Sequence, residues 1–346
     1  DTGLALGVAI KASLTVTFGH YKLGLLTSKA PDYTGELALV GLGVPSLLEP
    51  ARTPRANLLE ASDVRGWLAP RQRSAHKGSA GRVLVIAGSP GKTGAAVLAS
   101  QAALRAGAGL VSVCTFPETA DAIDPRIIEV MTERIDENAI ERSLDALLEP
   151  ADAVVMGPGM GLDARARAVS AHVLKAFDGP VVLDADALTH VAGRPRELRQ
   201  ARGRCVLTPH PGELGRLLGL SAAEVEADRF AALERAVAET GQLVLLKGPN
   251  TLIGAAGFPV WISNSGHPAL AVGGSGDVLA GVIGGLSPNL SLERAAAAGA
   301  YLHGLASRLW SEAHGGADRG LFARELADLV PRAFAALTQS SGSLSE

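Results

Sequence analysis

The string GGSGD at 273–277 has the make-up of an anion cradle followed by a base. Gly274, Ser275 and Gly276 are small, so their backbone N–H groups can converge on a phosphate at the positive end of a helix starting near Asp277. The same dipole favours an ionised Asp277, available to take a proton from a substrate hydroxyl. An ordinary Asp cap after a glycine turn explains the string equally simply, and on GGSGD alone it is the better explanation. The next segment tips the balance. GVIGGL (281–286) carries Gly281, Gly284 and Gly285, each costing about 1 kcal/mol in an exposed helix interior. Something must approach that backbone closely, and this argues for a site.

Lys247 closes the apolar run QLVLL and is followed by Gly248, Pro249, Asn250 and Thr251. A lysine above a tight turn suits nucleotide phosphates; without GGSGD, a surface lysine would be as good a reading. His210 stands between two prolines with Glu213 three residues on. It could contact substrate or a hydrated magnesium ion, and a proline-fixed turn with a helix-opening Glu fits as well. Asp184 and Asp186 end the apolar run PVVL, where a carboxylate is costly unless paired or hydrogen-bonded. Holding water and metal is the better reading there, with Asp184 and Glu213 the metal candidates, acting through water. GSPGKTG (88–94) invites a P-loop reading, but its glycines before Lys92 do not have Walker A spacing. A strand-to-helix turn lining a substrate site is preferred, with Ala95 the small residue opening the helix. The other histidines show no metal-ligand spacing and read as structural or solvated.

These loops need strands and helices to hold them. From residue 82, RVLVIAG (82–88), LVSVCTF (110–116), AVVMG (153–157), PVVLDA (180–185), RCVLTP (204–209) and QLVLLKG (242–248) read as strands. They alternate with helices at 95–107, 137–149, 163–177 and 222–240. That alternation predicts an α/β fold with a mainly parallel sheet and helices on both faces. TLIGAAGFPVWIS (251–263) reads as an edge hairpin, and DVLAGVIGGL, 292–313 and 321–337 as C-terminal helices. Ligands of such sheets bind outside the carboxyl ends of the strands. The loops 88–94, 157–161, 184–188, 208–213, 247–251 and 273–277 all fall on that rim. Residues 1–45 read as β-rich, with strands in 9–19 and at 24–26 and a buried parallel strand in 36–45, too short to close a domain. Residues 46–80, rich in Pro, Arg and Ser, read as a linker and the start of the next domain, with WLAP (67–70) a short helix. The main domain then spans 81–337, and 338–346 is a flexible tail.

Composition removes several function classes. The 346 residues are 47% hydrophobic, ample for a core. Lys+Arg 32 against Asp+Glu 35 gives a net charge of −3, no footprint for nucleic acid. Aromatic residues are only 4%, against a stacking platform for single strands. Cys114 and Cys205 have no CxxC spacing, which favours a reduced, cytoplasmic protein. No apolar run is long enough to span a membrane. Ala-rich helices such as 292–313, if exposed, would support self-association into a homo-oligomer.

Taken in order, KGSAGRVLVIAGS, GPGMG, VLDADAL, VLTPHPGE, LLKGPNT and GGSGDVLAG resemble the ADP/ATP-dependent NAD(P)HX dehydratase family of the ribokinase-like superfamily, over roughly residues 55–337. The resemblance implies a three-layer α/β/α fold. It also implies that NADH or NADPH hydrated at C6 of the nicotinamide ring is dehydrated at the expense of ADP or ATP, with Mg²⁺ present. By the same resemblance Asp277 deprotonates the C6 hydroxyl, which attacks the terminal phosphoryl group, while the 274–276 amides stabilise developing charge. The nucleotide would lie against Lys247 to Thr251 and Gly276. NAD(P)HX would lie against Ala95, Gly159, Gly161, His210 and Asp277. The first segment, DTGLALGVAIKASLTVTFGHYKLGLL…YTGELALVGLGVP, is similar to the C-terminal end of an NAD(P)HX epimerase domain. Residues 1–45 hold too little of that domain for epimerase activity to be expected.

GGSGD would be equally at home in a ribokinase-like kinase of a hydroxymethyl vitamin precursor (thiazole, pyrimidine or pyridoxal). TPHPGE, LLKG and the leader favour the dehydratase. An idle nucleotide-binding module would be expected to have lost Asp277, which is present.

Overall fold

The computed structural model of the chain describes residues 2–5, 7–43 and 54–339. Its strands are β1 (Leu14–Phe18), β2 (Glu36–Val40), β3 (Ala56–Leu58), β4 (Arg82–Ile86), β5 (Leu110–Thr115), β6 (Met131–Arg134), β7 (Ala153–Met156), β8 (Val181–Leu183), β9 (Cys205–Leu207), β10 (Leu243–Leu246), β11 (Thr251–Gly254) and β12 (Val260–Ser263). Ten of them form one sheet in the order β3-β12-β11-β10-β9-β8-β7-β4-β5-β6. Every adjacent pair is parallel except the two that β11 makes, with β10 and with β12. The mainly parallel sheet expected from the alternation of elements is thus present.

Strand periodicity explains the layers. In β4, Val83 and Val85 face one buried cluster while Leu84 and Ile86 face the other, as the alternation of side chains across a strand requires. The first cluster sits under the helices Thr93–Ala106, Ser275–Leu286, Leu292–Ala313 and Ala323–Gln339. The second sits under Ile140–Leu148, Ala164–Ala176, Pro211–Leu218 and Arg229–Thr240. Both sheet faces are covered, so the central strands carry continuous Val/Ile/Leu runs. Each such side chain contributes about 1.5–3 kcal/mol on burial.

Several sequence expectations change in detail. The hairpin of 251–263 forms, but β3 lies outside it as the edge strand, paired in parallel with β12. Residues 56–67 therefore begin the main domain, and Leu59 and Val64 are buried in its core. The helix there is Ala61–Trp67, ending where WLAP begins; Pro70 stops any extension. β6 was not expected, being short and polar (MTER). The helix expected over 222–240 is two helices, Ala222–Ala227 and Arg229–Thr240, because Asp228 caps the second through Ala231. In the leader, Leu23–Leu25 is a 3-10 turn rather than a strand. β2 pairs in parallel with β1 as expected, but both of its faces are partly or fully exposed instead of buried. The leader touches the main domain through buried Leu26 and a Ser28 Oγ bond to the Glu226 carbonyl at 3.1 Å. Of the linker and tail expectations, residues 44–53 and 340–346 lie outside the described residues, while 338–339 extend the last helix.

Two arguments about the C-terminal helices are overturned. The close approach that GVIGGL demands is made by the protein itself. A Cβ at Gly281 would overlap the Ala99 carbonyl, one at Gly285 the Ala103 carbonyl, and one at Gly284 the Val155 side chain. The glycines let two helices meet backbone to backbone and seat one of them on the Val155 side chain of the sheet. The Leu292–Ala313 helix is not exposed: Ala295 to Ala300, Leu302 and Ala306 are all buried. It offers no Ala-rich surface for self-association. Among the described residues no helix is long and apolar enough to cross a membrane.

Candidate active site

From β4 the sheet grows in two directions, to β5 and β6 on one side and to β7, β8, β9 and β10 on the other. A crevice opens at such a reversal, outside the strand ends. The loops after β4 and β7 line it. The Gly88 amide donates to the Pro158 carbonyl at 2.9 Å. Gly159 has φ +57, and a Cβ there would stand 2.9 Å from the Lys92 carbonyl oxygen and 3.1 Å from Ala95 Cβ. Ala95 and Gly159 are therefore neighbours. The Gly161 amide donates to Asp186 Oδ2 at 3.0 Å, and Lys92 Nζ reaches the same oxygen at 3.1 Å. Asp186 so ties three rim loops together, a positioning role in place of the metal role first considered.

Asp184 and Asp186 have separate partners, and Ala185 between them adopts φ +47. Positive φ costs a non-glycine residue of order 1–3 kcal/mol and clusters at functional sites. Asp184 is buried. Its Oδ1 accepts from Thr208 Oγ1 at 2.7 Å and from Lys247 Nζ at 2.8 Å. Its Oδ2 accepts no hydrogen bond from the described residues and lies 3.9 Å from where a Gly276 Cβ would be. Lys247 is not the surface lysine of the alternative reading: its side chain is 20% exposed and also sits 3.7 Å from Glu213 Oε2. Burial works against the ammonium, but the Asp184 and Glu213 carboxylates outweigh it and raise its pKa above the ordinary value.

His210 caps the Pro211–Leu218 helix. Its Nδ1 accepts from the Gly212 and Glu213 amides at 3.0 and 3.4 Å, and its own amide donates to Glu213 Oε2 at 2.8 Å. The structural explanation of this motif is therefore correct. The ring is nonetheless half-exposed, with Nε2 3.6 Å from Glu213 Oε1.

The GGSGD string opens the Ser275–Leu286 helix, with Gly274 at φ +92 as its cap. Of the proposed cradle amides, that of Ser275 makes a long 3.4 Å bond to the Val272 carbonyl. Those of Gly274 and Gly276 make none among the described residues. A Gly276 Cβ would meet Lys247 Nζ at 3.3 Å, so cradle and ammonium adjoin. Asp277 departs from the sequence expectation in one respect. The helix dipole does not keep it fully ionised; burial and then the Asp184 charge push its pKa up to about 7, against the pull of Lys247. A carboxyl poised near neutrality is well matched to accept a proton.

Two contributors escaped sequence reasoning. His303, read as structural or solvated, donates from Nε2 to the Ser275 carbonyl at 2.9 Å. Burial lowers its pKa to about 4, so it is a neutral anchor for the helix start. Arg229 lies buried behind the 247–250 turn. Neither belongs to a motif, and the carbonyls they engage are remote in sequence. The magnesium expectation can be tested against the donor set. Among the described residues no group of three or more His, Cys, Asp or Glu could hold a metal ion. The free Oδ2 of Asp184 and the nearby Glu213 fit an ion carried mainly by phosphates and water.

The sheet and its crevice define a ribokinase-like α/β protein. A ribokinase-like superfamily protein from Enterococcus faecalis V583 is similar at TM-score 0.68 and 26% identity, covering 84% of this chain and 99% of that one. The chain belongs to the NAD(P)H-hydrate dehydratase family, whose model matches residues 83–332. It is 42% identical over 94% of its length to the bifunctional NAD(P)H-hydrate repair enzyme Nnr of Coxiella burnetii, and covers 65% of that relative. The structure of the ADP/ATP-dependent NAD(P)H-hydrate dehydratase from Bacillus subtilis, co-crystallised with ATP/Mg²⁺, is similar at TM-score 0.73 and 31% identity over 83% of this chain and 100% of that one. The chain spans less than two thirds of the length of the curated relatives it matches.

Proposed function

We propose that this chain dehydrates the S-form of hydrated NADH or NADPH to the working cofactor, consuming ADP or ATP. The observation that carries the reading is the convergence of Asp277, Lys247 and the open amides of Gly274 and Gly276 at one helix start. Asp277 accepts the proton of the C6 hydroxyl. The oxygen then bonds to the terminal phosphorus of the nucleotide, and the bond to the departing nucleotide oxygen breaks. Lys247 and the 274–276 amides balance the charge on the transferring group. The ring nitrogen's electron pair expels phosphate from C6, and the C5 proton passes to the departing phosphate, which restores the double bond. The nucleotide lies along Lys247, Gly248, Pro249, Asn250, Thr251 and Gly276, and NAD(P)HX along Ala95, Gly159, Gly161 and His210.

Magnesium, when bound, would offset polyphosphate charge, with Asp184 and Glu213 reaching it through water. Residues 1–45 are the C-terminal end of an epimerase domain in this reading, and the enzyme works in the cytoplasm, without nucleic acid or membrane. The test is to mix the protein with hydrated NADH, Mg²⁺ and either ADP or ATP. Growth of the reduced-nicotinamide absorbance is expected with at least one nucleotide. No growth with either would end the dehydratase reading.

A further inference from the structure

Arg229 is 1% exposed, and burying a guanidinium is costly unless it is well partnered. Among the described residues its acidic partner is Glu226, 2.7 Å from Nη1. Its Nε is buried without a hydrogen bond among the described residues, so the group is not placed to maximise its own pairing. Instead Nη2 donates to three carbonyls, those of Leu246 at 3.2 Å, Lys247 at 3.1 Å and Asn250 at 3.3 Å. These bracket one tight turn. With its carbonyls engaged by Arg229, the turn keeps the Gly248 and Asn250 amides free of any hydrogen bond among the described residues.

Gly248 gives independent support. Its φ is not in the left-handed region, so the backbone conformation does not call for glycine. A Cβ there would stand 2.6 Å from Arg229 Nη2 and 2.8 Å from Cζ. The guanidinium is what requires glycine at 248.

We infer that Arg229 is a positioning residue for the nucleotide: its fork fixes the Lys247–Asn250 turn in the shape that presents the Lys247 ammonium and the turn amides to a polyphosphate. This rests on the nucleotide reading proposed above, so the test has one arm that needs no ligand. Hydrogen exchange is followed in the full chain without nucleotide, for wild type, Arg229→Met, Arg229→Lys and Gly248→Ala. In Arg229→Met the Lys247 amide, which donates to the Pro209 carbonyl at the start of the turn, is expected to exchange about tenfold faster while those of β4 and β7 stay unchanged. Arg229→Lys, which keeps a cation near the carbonyls, falls between. With ADP, KM rises about tenfold in Arg229→Met and kcat stays within about threefold. Unchanged exchange at the turn, or an equal rise through the whole sheet, overturns the inference. Should Arg229→Met not fold, Gly248→Ala displaces the guanidinium without deleting it and must give the same local signature; its absence is equally fatal. A wild-type protein that binds neither ADP nor ATP would refute the nucleotide reading while exchange still judges the hold of Arg229 on the turn.

Discussion

Lys247 Nζ lies 2.8 Å from Asp184 Oδ1, joining the end of β10 to the end of β8 across the intervening strand β9. The same ammonium borders Gly276 and pulls down the pKa of Asp277. One lysine thus connects the turn proposed to take the nucleotide with the acid proposed to take the proton. Its removal has to be felt at both.

Lys247→Met should weaken ADP binding by about tenfold or more, through loss of a charge-assisted contact. It should also move the acid limb of the pH–rate profile upward by about one unit, because Asp277 loses its compensating cation. A pH profile of kcat/KM decides: an unmoved limb would mean that the lysine does not govern the base.

Asp277→Asn should fold as wild type does and lose about three orders of magnitude in turnover. In wild type, activity should fall as the pH drops below about 7, where the carboxyl takes up its proton. Single-turnover formation of reduced nicotinamide measures both. Activity within tenfold of wild type in the mutant would exclude Asp277 as the base.

The same substitution makes a stability test whose sign is fixed. Folding raises the Asp277 pKa from 3.8 to about 7, so the native state holds the proton more tightly than the unfolded chain. Its contribution is full below about pH 4 and is lost as the pH rises through 7. Asp277→Asn, which imitates the protonated acid, should match wild type near pH 4 and exceed it at pH 8 by up to about 4 kcal/mol. Urea unfolding at the two pH values is the measurement, and a mutant no more stable at pH 8 contradicts the burial argument.

Gly276 and Gly281 sit on one helix and should respond differently to an added side chain, the first in affinity and the second in stability. At Gly276 the nearest atom is the far end of a flexible lysine, 3.3 Å away, so the fold should tolerate the methyl and Gly276→Val should lose nucleotide affinity. At Gly281 the methyl would overlap a rigid backbone carbonyl, that of Ala99. The gain in helix propensity, about 1 kcal/mol, is outweighed by overpacking of about 3 kcal/mol. Thermal unfolding with parallel calorimetry of ADP binding separates the two cases.

The rim of the sheet was legible because each loop is local. The apolar runs before Lys247, Asp184 and Gly88 fix strands, strand ends fix a common edge, and glycines mark where the chain turns there. The residues that shape the site from behind were not legible. Arg229 and His303 act through carbonyls 17 to 28 positions away, and an arginine or histidine in a helix carries no mark of what it will meet. The glycines of GVIGGL were misread for the same reason: they announce a close approach without saying whether ligand or protein makes it.

The sequence alone thus determined the alternation of elements, the edge on which the polar loops gather, and the acid and lysine set there, because these follow from periodicity and from residue type at strand ends. Only the tertiary structure decided which charges face one another. The pairing of Lys247 with Asp184, the near-neutral pKa of Asp277 and the hold of Arg229 on its turn arise from burial and from distances between segments remote along the chain. Those interactions vary steeply with separation and with exclusion of water, and neither quantity is written in the order of the residues.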